Sequence, residues 1–183
     1  DLDIAFSAME YQEMTGYFGN EEIALISDSI LLRIFKNSLD GANGADFHIE
    51  DPQLNITASH GLAIPLGIRF NRLEAYNQAE DVSTPLLLQN FPQPYPLTTP
   101  APGEVSTTLI EINSDNSNIQ AVLRPEEQFV IIDAVAIPNF EGKTINTIYP
   151  NTSLDVNASA IMPLKGYASG WAIEQTIDLD FDL

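Results

Sequence analysis

The chain has 183 residues, with 26 Asp and Glu against 7 Lys and Arg, so its formal net charge is -19. Such a surface repels phosphate backbones and anionic lipid headgroups, which disfavours nucleic-acid binding and direct membrane binding. Cysteine is absent, which excludes thiol nucleophiles, disulfides and Cys-rich zinc sites. The hydrophobic share of 44% is that of a globular protein, long enough to bury a core.

The beginning of the chain contains short apolar segments that predict strands. Residues 3–8 alternate and predict a first strand, and residues 11–20 are typical of a connection. Residues 21–26 and 29–35 are two further apolar segments, the second of which fits a strand or a short helix. Residues 37–46, NSLDGANGAD, form a turn cluster.

Residues 45–73 are the clearest part of the sequence. Apolar residues alternate with polar ones at the period of a strand with one buried face, namely Phe47, Ile49, Leu54, Ile56 and Ala58. Asp51 and Pro52 interrupt this run, and His60-Gly61 predicts a turn or a bulge. A second strand is expected from Ile64 to Leu73.

The middle of the chain is dominated by proline. Residues 79–84 are polar and residues 86–88 are a short apolar run. Residues 90–103 then contain five prolines, so this segment cannot be a central strand. It predicts either a linker between two lobes or a long crossover at one edge of a sheet.

Four strand patterns and one helical pattern fill the remainder. Strands are predicted at residues 105–112, 128–137, 153–164 and 170–183. Between the first two, Ser114 or Asp115 can cap a short helix that ends near Pro125. These elements predict an all-β antiparallel immunoglobulin-like β-sandwich with about one short helix. We expect residues 1–183 to form a single domain, with a two-lobe split near 90–103 as the alternative.

Two segments repeat weakly at an offset of 154 − 54 = 100 positions. LNITAS, which begins at Leu54, corresponds to LDVNAS, which begins at Leu154. Two similar lobes would produce this repeat, and so would two ordinary strands with similar turns, which is the interpretation that we favour.

Two longer segments resemble surface lipoproteins of Gram-negative gut anaerobes. The segments are FHIEDPQLNITASHGLAIPLGIRF in the first half and SLDVNASAIMPLKGYASGWAIEQTIDLDF in the second. The Asp-Pro-x-Leu-x-Ile pattern at Asp51–Ile56 is also similar to the opening of water-stress (late-embryogenesis type 2) domains, which are immunoglobulin-like sandwiches.

The resemblance implies a β-sandwich that is exported to the outer membrane or cell surface and held there by a lipidated Cys. Since this chain has no Cys, that anchor would lie before Asp1. The resemblance assigns no functional residue, because the shared pattern is one of fold.

Calcium is the cofactor for which the sequence offers candidate ligands, although we expect none to be required. Asp40, Asn43 and Asp46 place three oxygen-bearing side chains in one turn, but the EF-hand spacing is missing. Asp115 with Asn116 and Asn118 forms a looser cluster, for which a plain turn is the favoured interpretation. His48, beside Glu50, is expected to be an exposed strand histidine rather than a base or ligand.

Aromatic residues supply the candidates for ligand binding. Tyr167 and Trp171 could stack on a sugar ring if exposed, and a similar platform is conceivable from Tyr17, Phe18, Phe91 and Tyr95. Packing within the protein is the alternative role of these side chains.

The sequence therefore predicts a non-catalytic, acidic binding or adhesion protein of the cell surface. Its expected partner is a protein or a glycan. The alternatives are a carbohydrate-binding module, which needs exposed aromatic rings, and a hydrolase, which needs two carboxylates or a His-carboxylate pair that converge in a pocket. Neither a phosphate-binding loop nor a nucleophile elbow occurs in the sequence.

Overall fold

A computed structural model describes residues 11–32, 48–78, 80–123, 128–150, 152–165 and 171–177. Within these residues the protein is an all-β antiparallel sandwich with one short helix, which confirms the predicted fold class. The strands are β1 Met14–Gly16, β2 Ile23–Leu32, β3 His48–Ile49, β4 Gln53–His60, β5 Leu66–Asn77, β6 Val82–Pro85, β7 Tyr95–Pro96, β8 Ser106–Ile112, β9 Gln128–Pro138, β10 Asn146–Ile148, β11 Leu154–Lys165 and β12 Trp171–Ile177. The helix α1 is Ile119–Val122.

Two five-stranded sheets make up the sandwich. Sheet I has the order β12-β11-β4-β8, with β3 also paired to β11. Sheet II has the order β2-β9-β5-β6, with β7 also paired to β5, and β1 and β10 form a separate ribbon. The antiparallel pair β4–β8 lies at one side of sheet I, and the antiparallel pair β5–β9 lies within sheet II.

The core lies between the sheets and follows the alternation of the strands. In β4 every second side chain is buried, from Leu54 to His60, and the intervening polar side chains are partly exposed. Ile110 and Ile112 of β8 and Val156 of β11 are buried on the same side. At about 25 cal/mol per Å² of apolar surface, each such side chain stabilises the fold by roughly 1.5–3 kcal/mol.

Several predicted boundaries were wrong. The two segments on either side of Ser27 form one continuous strand, β2, which passes through Ser27 and Asp28. The polar residues 79–84 overlap β6, an edge strand whose residues are all exposed, so it lacks the alternation that marks a half-buried strand. The second strand, β5, starts later than predicted and extends to Asn77.

The predicted helix is shorter and begins later than expected. Its first residue is Ile119 after Asn118, and Asn118 makes no side-chain capping bond. Ser114 and Asp115 belong instead to turns, in which Asn113 Oδ1 accepts a hydrogen bond from the Asp115 N–H at 2.9 Å. The buried Ile119 and Val122 hold this single turn against the core.

The repeated segments lie side by side in sheet I. They pair in antiparallel fashion, with Thr57 opposite Asn157 and Ile56 opposite Ala158. Beyond the strands the likeness ends, because β4 leads to β5 in the other sheet whereas β11 leads to its own neighbour β12.

The proline-rich residues run between β6 and β8 and contain only the short strand β7 in the described structure. β7 pairs with β5 at Gly67 and Ile68. Strands from before and after this segment are paired in both sheets, β4 with β8 and β11, and β5 with β9. The predicted strand at residues 3–8 and the turn at residues 37–46 lie outside the described residues.

Candidate functional site

An open groove of about 570 Å³ runs between the edge strand of sheet I and the proline-rich segment. We call it the edge groove and call residues 89–98 its wall. Its lining residues are Asn90, Phe91, Pro92, Tyr95, Pro96, Thr98, Thr108, Leu109, Glu111, Asn113 and Asn116. The wall is attached to sheet II through β7, whereas β8 belongs to sheet I, so the groove is an open seam of the sandwich.

Backbone hydrogen bonds fix the wall at its two ends. The Gln89 N–H donates to Asn116 O at 2.8 Å, and the Leu97 N–H donates to Leu66 O at 2.8 Å. The Phe70 N–H donates to the side-chain oxygen of Gln93 at 3.3 Å. These bonds anchor a segment that has no strand partner along most of its length.

A glycine lets the wall approach β5 closely. A Cβ built on Gly67 would lie 2.8 Å from Pro94 Cβ and 3.1 Å from Phe140 Cδ1, which is closer than side chains tolerate. Gly67 therefore allows Pro94 to pack directly on the backbone of β5.

Thr98 attaches the far end of the wall to sheet I. Its carbonyl accepts hydrogen bonds from His60 Nε2, at 3.0 Å, and from the Ser106 hydroxyl. Its N–H donates to Thr108 Oγ1 at 2.8 Å. His60 ends β4 as predicted, but it is a buried residue that positions the wall.

The His60 side chain is 1% exposed, and its Nδ1 has no hydrogen-bond partner in the described structure. Burial lowers the pKa of His60, while the carbonyls of Thr98 and Leu62 raise it to a smaller extent. The neutral imidazole, with its proton on Nε2, is therefore the form that fits this position.

Two half-buried aromatic rings form the apolar part of the groove. The ring centroids of Phe91 and Tyr95 are 4.9 Å apart, and the rings are inclined at 35°. On its other side Phe91 faces Phe70, at 6.2 Å and 52°. The rings are in contact but are not coplanar, so they form a ridge rather than a flat platform.

Amide side chains close one end of the groove. Asn116 Nδ2 donates to Glu111 O at 2.8 Å, and Asn116 Oδ1 accepts from the Asn113 N–H at 2.9 Å. Asn118 bonds the backbone of Leu87 and Pro85. Asn116 and Asn118, which the sequence offered as loose calcium ligands, thus use their side chains to hold loops together.

A second groove, of about 480 Å³, contains both described arginines. It is lined by Arg69, Phe70, Asn71, Arg72, Leu73, Glu74, Pro85, Leu86, Leu87, Leu88 and Gln93. Arg69 pairs with Glu22 at 2.7 Å, and Arg72 pairs with Glu74. The hydrogen bond from Arg72 is the largest cause that lowers the pKa of Glu74, and the hydrogen bond from Ser83 is the second largest. Both positive charges are thus already matched within the protein.

The structure describes only some of the candidate ligand-binding residues that the sequence predicted. Asp40, Asn43, Asp46 and Tyr167 lie outside the described residues. Trp171 opens β12 opposite Leu164, and His48 in β3 lies opposite Lys165; their side chains are outside the described part.

Of the other aromatic candidates, Phe91 and Tyr95 are brought together in the edge groove. Tyr17 lies elsewhere, with the Lys143 ammonium 5.1 Å from its ring centroid. Thr98 and Thr108 were missed as site residues, because their roles depend on contacts between distant segments. Asn116 was a candidate for calcium binding and not for this groove. The aromatic residues within a proline-rich run were the available signal.

Within the described ranges, no group of three or more His, Cys, Asp or Glu side chains is arranged to hold a metal ion. The same ranges contain no helix with the length and apolar character needed to cross a membrane. Comparison of the chain with protein-family models, curated proteins and solved structures found no match.

Proposed function

We propose that this chain is a non-catalytic binding domain of the cell surface, with an adhesive role, and that the edge groove is its binding surface. The observation that supports this proposal is the construction of the groove. Aromatic, amide and hydroxyl side chains line one open seam, and hydrogen bonds from both sheets fix its wall. A concave surface of this kind on a rigid scaffold suits ligand binding.

The same groove favours binding over hydrolysis. Glu111 is the one carboxylate among its described lining residues, and no histidine lines it. A glycoside hydrolase ordinarily needs two carboxylates across the scissile bond. The groove thus supplies contacts for a ligand without the pair of groups that such a reaction requires.

Export and anchoring belong to the same proposal. The acidic composition is compatible with a soluble ectodomain, and the likeness of residues 47–70 and 153–181 to surface lipoproteins supports attachment to the outer membrane through a lipid upstream of Asp1. Fractionation of the source cells, followed by protease treatment of intact cells, tests this directly. A protein that stays in the cytosolic fraction would contradict it.

Carbohydrate binding is the second candidate function, and the ridge of Phe91 and Tyr95 favours it. Aromatic rings beside amide side chains, here Asn90 and Asn113, are suited to the apolar faces and hydroxyls of sugars. The inclination of the rings limits stacking to one ring at a time.

Co-sedimentation of the purified domain with envelope fractions tests the binding function. We expect saturable binding by the wild type, a loss with Tyr95→Ala, and no loss with Tyr17→Ala, which removes an exposed tyrosine that does not line the groove. Mass spectrometry of the envelope material should detect no chemical change. Unsaturable binding, equal binding by both variants, or turnover of the bound material would contradict the proposal.

A further inference from the structure

The edge strand of the groove presents unused backbone groups. Among the described strands, β8 is the last strand of sheet I, and its one partner there is β4. In an antiparallel pair the N–H and C=O of alternate residues point toward the partner and away from it. Since Asn116 reaches Glu111 O from outside the sheet, the backbone of Glu111, Leu109 and Thr107 points away from β4.

Among the residues that the structure describes, these outward groups have no partners along most of the edge. Asn116 occupies Glu111 O, but no hydrogen bond in the described structure engages the N–H or C=O of Leu109 or Thr107. The groove exposes this edge, because Thr108 from the inner face and Leu109 from the outer face both line it. Leu109 is 48% exposed.

β8 itself has few of the features that usually protect an edge strand. Natural sheets block their edges with proline, bulges, charges or very short strands. Of the two edge strands of sheet II, β6 has four residues and ends in Pro85, and β2 has an irregularity between Ala24 and Ile26. β8 has seven residues, no proline and an uninterrupted register with β4. Glu111 is its single charge.

We propose that the edge groove binds an extended polypeptide segment of a partner protein, which adds to sheet I as a further strand beside β8. The proposal rests on the proposed function, since it assigns a ligand class to the edge groove. Residues 107–111 offer an edge for a segment of about five residues at strand spacing. A basic side chain of the segment lies opposite Glu111, and an apolar one contacts Tyr95 and Phe91.

Charge and hydrogen-bonding pattern together select this ligand. A polypeptide is the ligand whose own N–H and C=O groups repeat at the spacing of a strand edge. A second copy of this chain would bring another -19 charge to the contact, whereas a basic segment is attracted by it. A glycan would use the aromatic ridge but has no need of the Leu109 and Thr107 backbone.

An array of randomised, end-blocked heptapeptides is the probe for this ligand class. We expect the bound peptides to be enriched in β-branched residues. We also expect Lys or Arg to be enriched at one position of the set of alternate residues that face the same side of the added strand. For the best binder, methylation of the backbone nitrogens on one edge should weaken binding by roughly tenfold, whereas methylation on the other edge should not. No enrichment, or equal effects of the two methylations, would overturn the proposal.

Two variants at Leu109 distinguish the contribution of its backbone N–H to peptide binding from that of its side chain. Leu109→Pro removes the outward N–H without breaking the ladder to β4, and Leu109→Thr keeps it. We expect roughly tenfold weaker peptide binding for the proline variant and at most a small loss for the threonine variant. Equal binding by both would overturn the proposal, and the N-methylated peptides decide the matter if the proline variant does not fold.

Reversal of the edge charge tests the position of the basic residue. Glu111→Lys should shift the enriched position of the array from Lys and Arg to Asp and Glu. Glu104→Lys, outside β8 and the groove lining, should leave the preference unchanged. Identical preferences for Glu111→Lys and the wild type would overturn the assignment.

Failure of this inference is distinguishable from failure of the proposed function. Glycan-array binding that is lost with Tyr95→Ala and unaffected by Leu109→Pro would overturn polypeptide binding while leaving the groove as a binding surface. Saturable envelope binding that both Tyr95→Ala and Leu109→Pro abolish, together with protease sensitivity of the envelope partner, would support it.

Discussion

The strand pair β4–β11 and the wall of the edge groove lie in the same sandwich but are held in different ways. β4 and β11 bury alternate side chains in the core, and a continuous ladder joins them from Leu154–His60 to Ile161–Gln53. The wall is held by a few isolated bonds to Thr98, Leu97 and Gln89. From this difference we infer that the core provides most of the stability of the fold. The wall provides a surface that single substitutions can displace.

The largest effect should come from a charge in the inner row of β4. Ile56 is 1% exposed and lies between Ala158 and Ile110. Ile56→Asp should lower the free energy of unfolding by about 4 kcal/mol or more, because it buries an unpaired carboxylate. Thr57→Asp, on the outer face, should cost far less. Similar urea midpoints for the two variants would contradict the observed register.

A smaller loss is expected where the wall meets β5. Gly67→Ala introduces a methyl group against Pro94 and Phe140, which should destabilise the protein by about 1–3 kcal/mol and displace the wall. Gly16→Ala is the matched control, since a Cβ there meets nothing within 4 Å. Thermal unfolding measures the first effect and envelope binding the second. Unchanged binding by Gly67→Ala would mean that the wall does not form the binding surface.

Loss of the hydrogen bond to Thr98 should lower the free energy of unfolding by less than either of these substitutions. Thr108→Val leaves the Thr98 N–H without its acceptor, at a cost of about 1 kcal/mol. Thr107→Val, the control, removes a hydroxyl that bonds Ser59 on the outer face. Amide exchange at Leu97 should become faster in Thr108→Val only. Equal acceleration in both variants would show that the attachment of Thr98 does not hold the wall.

The smallest effect concerns pH. Burial lowers the folded-state pKa of His60 below its ordinary value of 6.5, so the folded state binds this proton less readily than the unfolded state. The contribution of neutral His60 to stability is therefore complete above pH 6.5 and is lost as the pH falls from 6.5 toward the folded-state pKa. Urea unfolding of the wild type and of His60→Gln, which retains His48, should diverge in that window. Parallel profiles would contradict the burial of a neutral imidazole.

The sequence predicted the regions whose structure depends on local periodicity. The spacing of Leu54, Ile56 and Ala58 predicts β4. The interruption at Asp51 and Pro52 can likewise be predicted from neighbouring residues alone. β6 escaped prediction because its residues are all exposed, and the helix was placed too early because Ser114 and Asp115 have the composition of a cap.

The edge groove could be predicted only in part. Phe91 and Tyr95 were recognisable as candidate binding residues. The prolines left two possibilities open, a linker between two lobes or a crossover at the edge of a sheet. The contribution of Thr98 depends on its bonds to His60 and Thr108, which no sequence spacing expresses. The free edge of β8 follows from strand order, since only the completed sheet shows which strand has one neighbour.

The exposed edge of β8 is the central claim, and amide hydrogen exchange tests it most directly. In the free protein the amides of Leu109 and Thr107 should exchange much faster than those of Thr108 and Ile110, which bond to β4. A bound heptapeptide from the array should slow exchange at Leu109 and Thr107. Slow exchange at Leu109 without ligand, or no change when ligand is bound, would contradict the account.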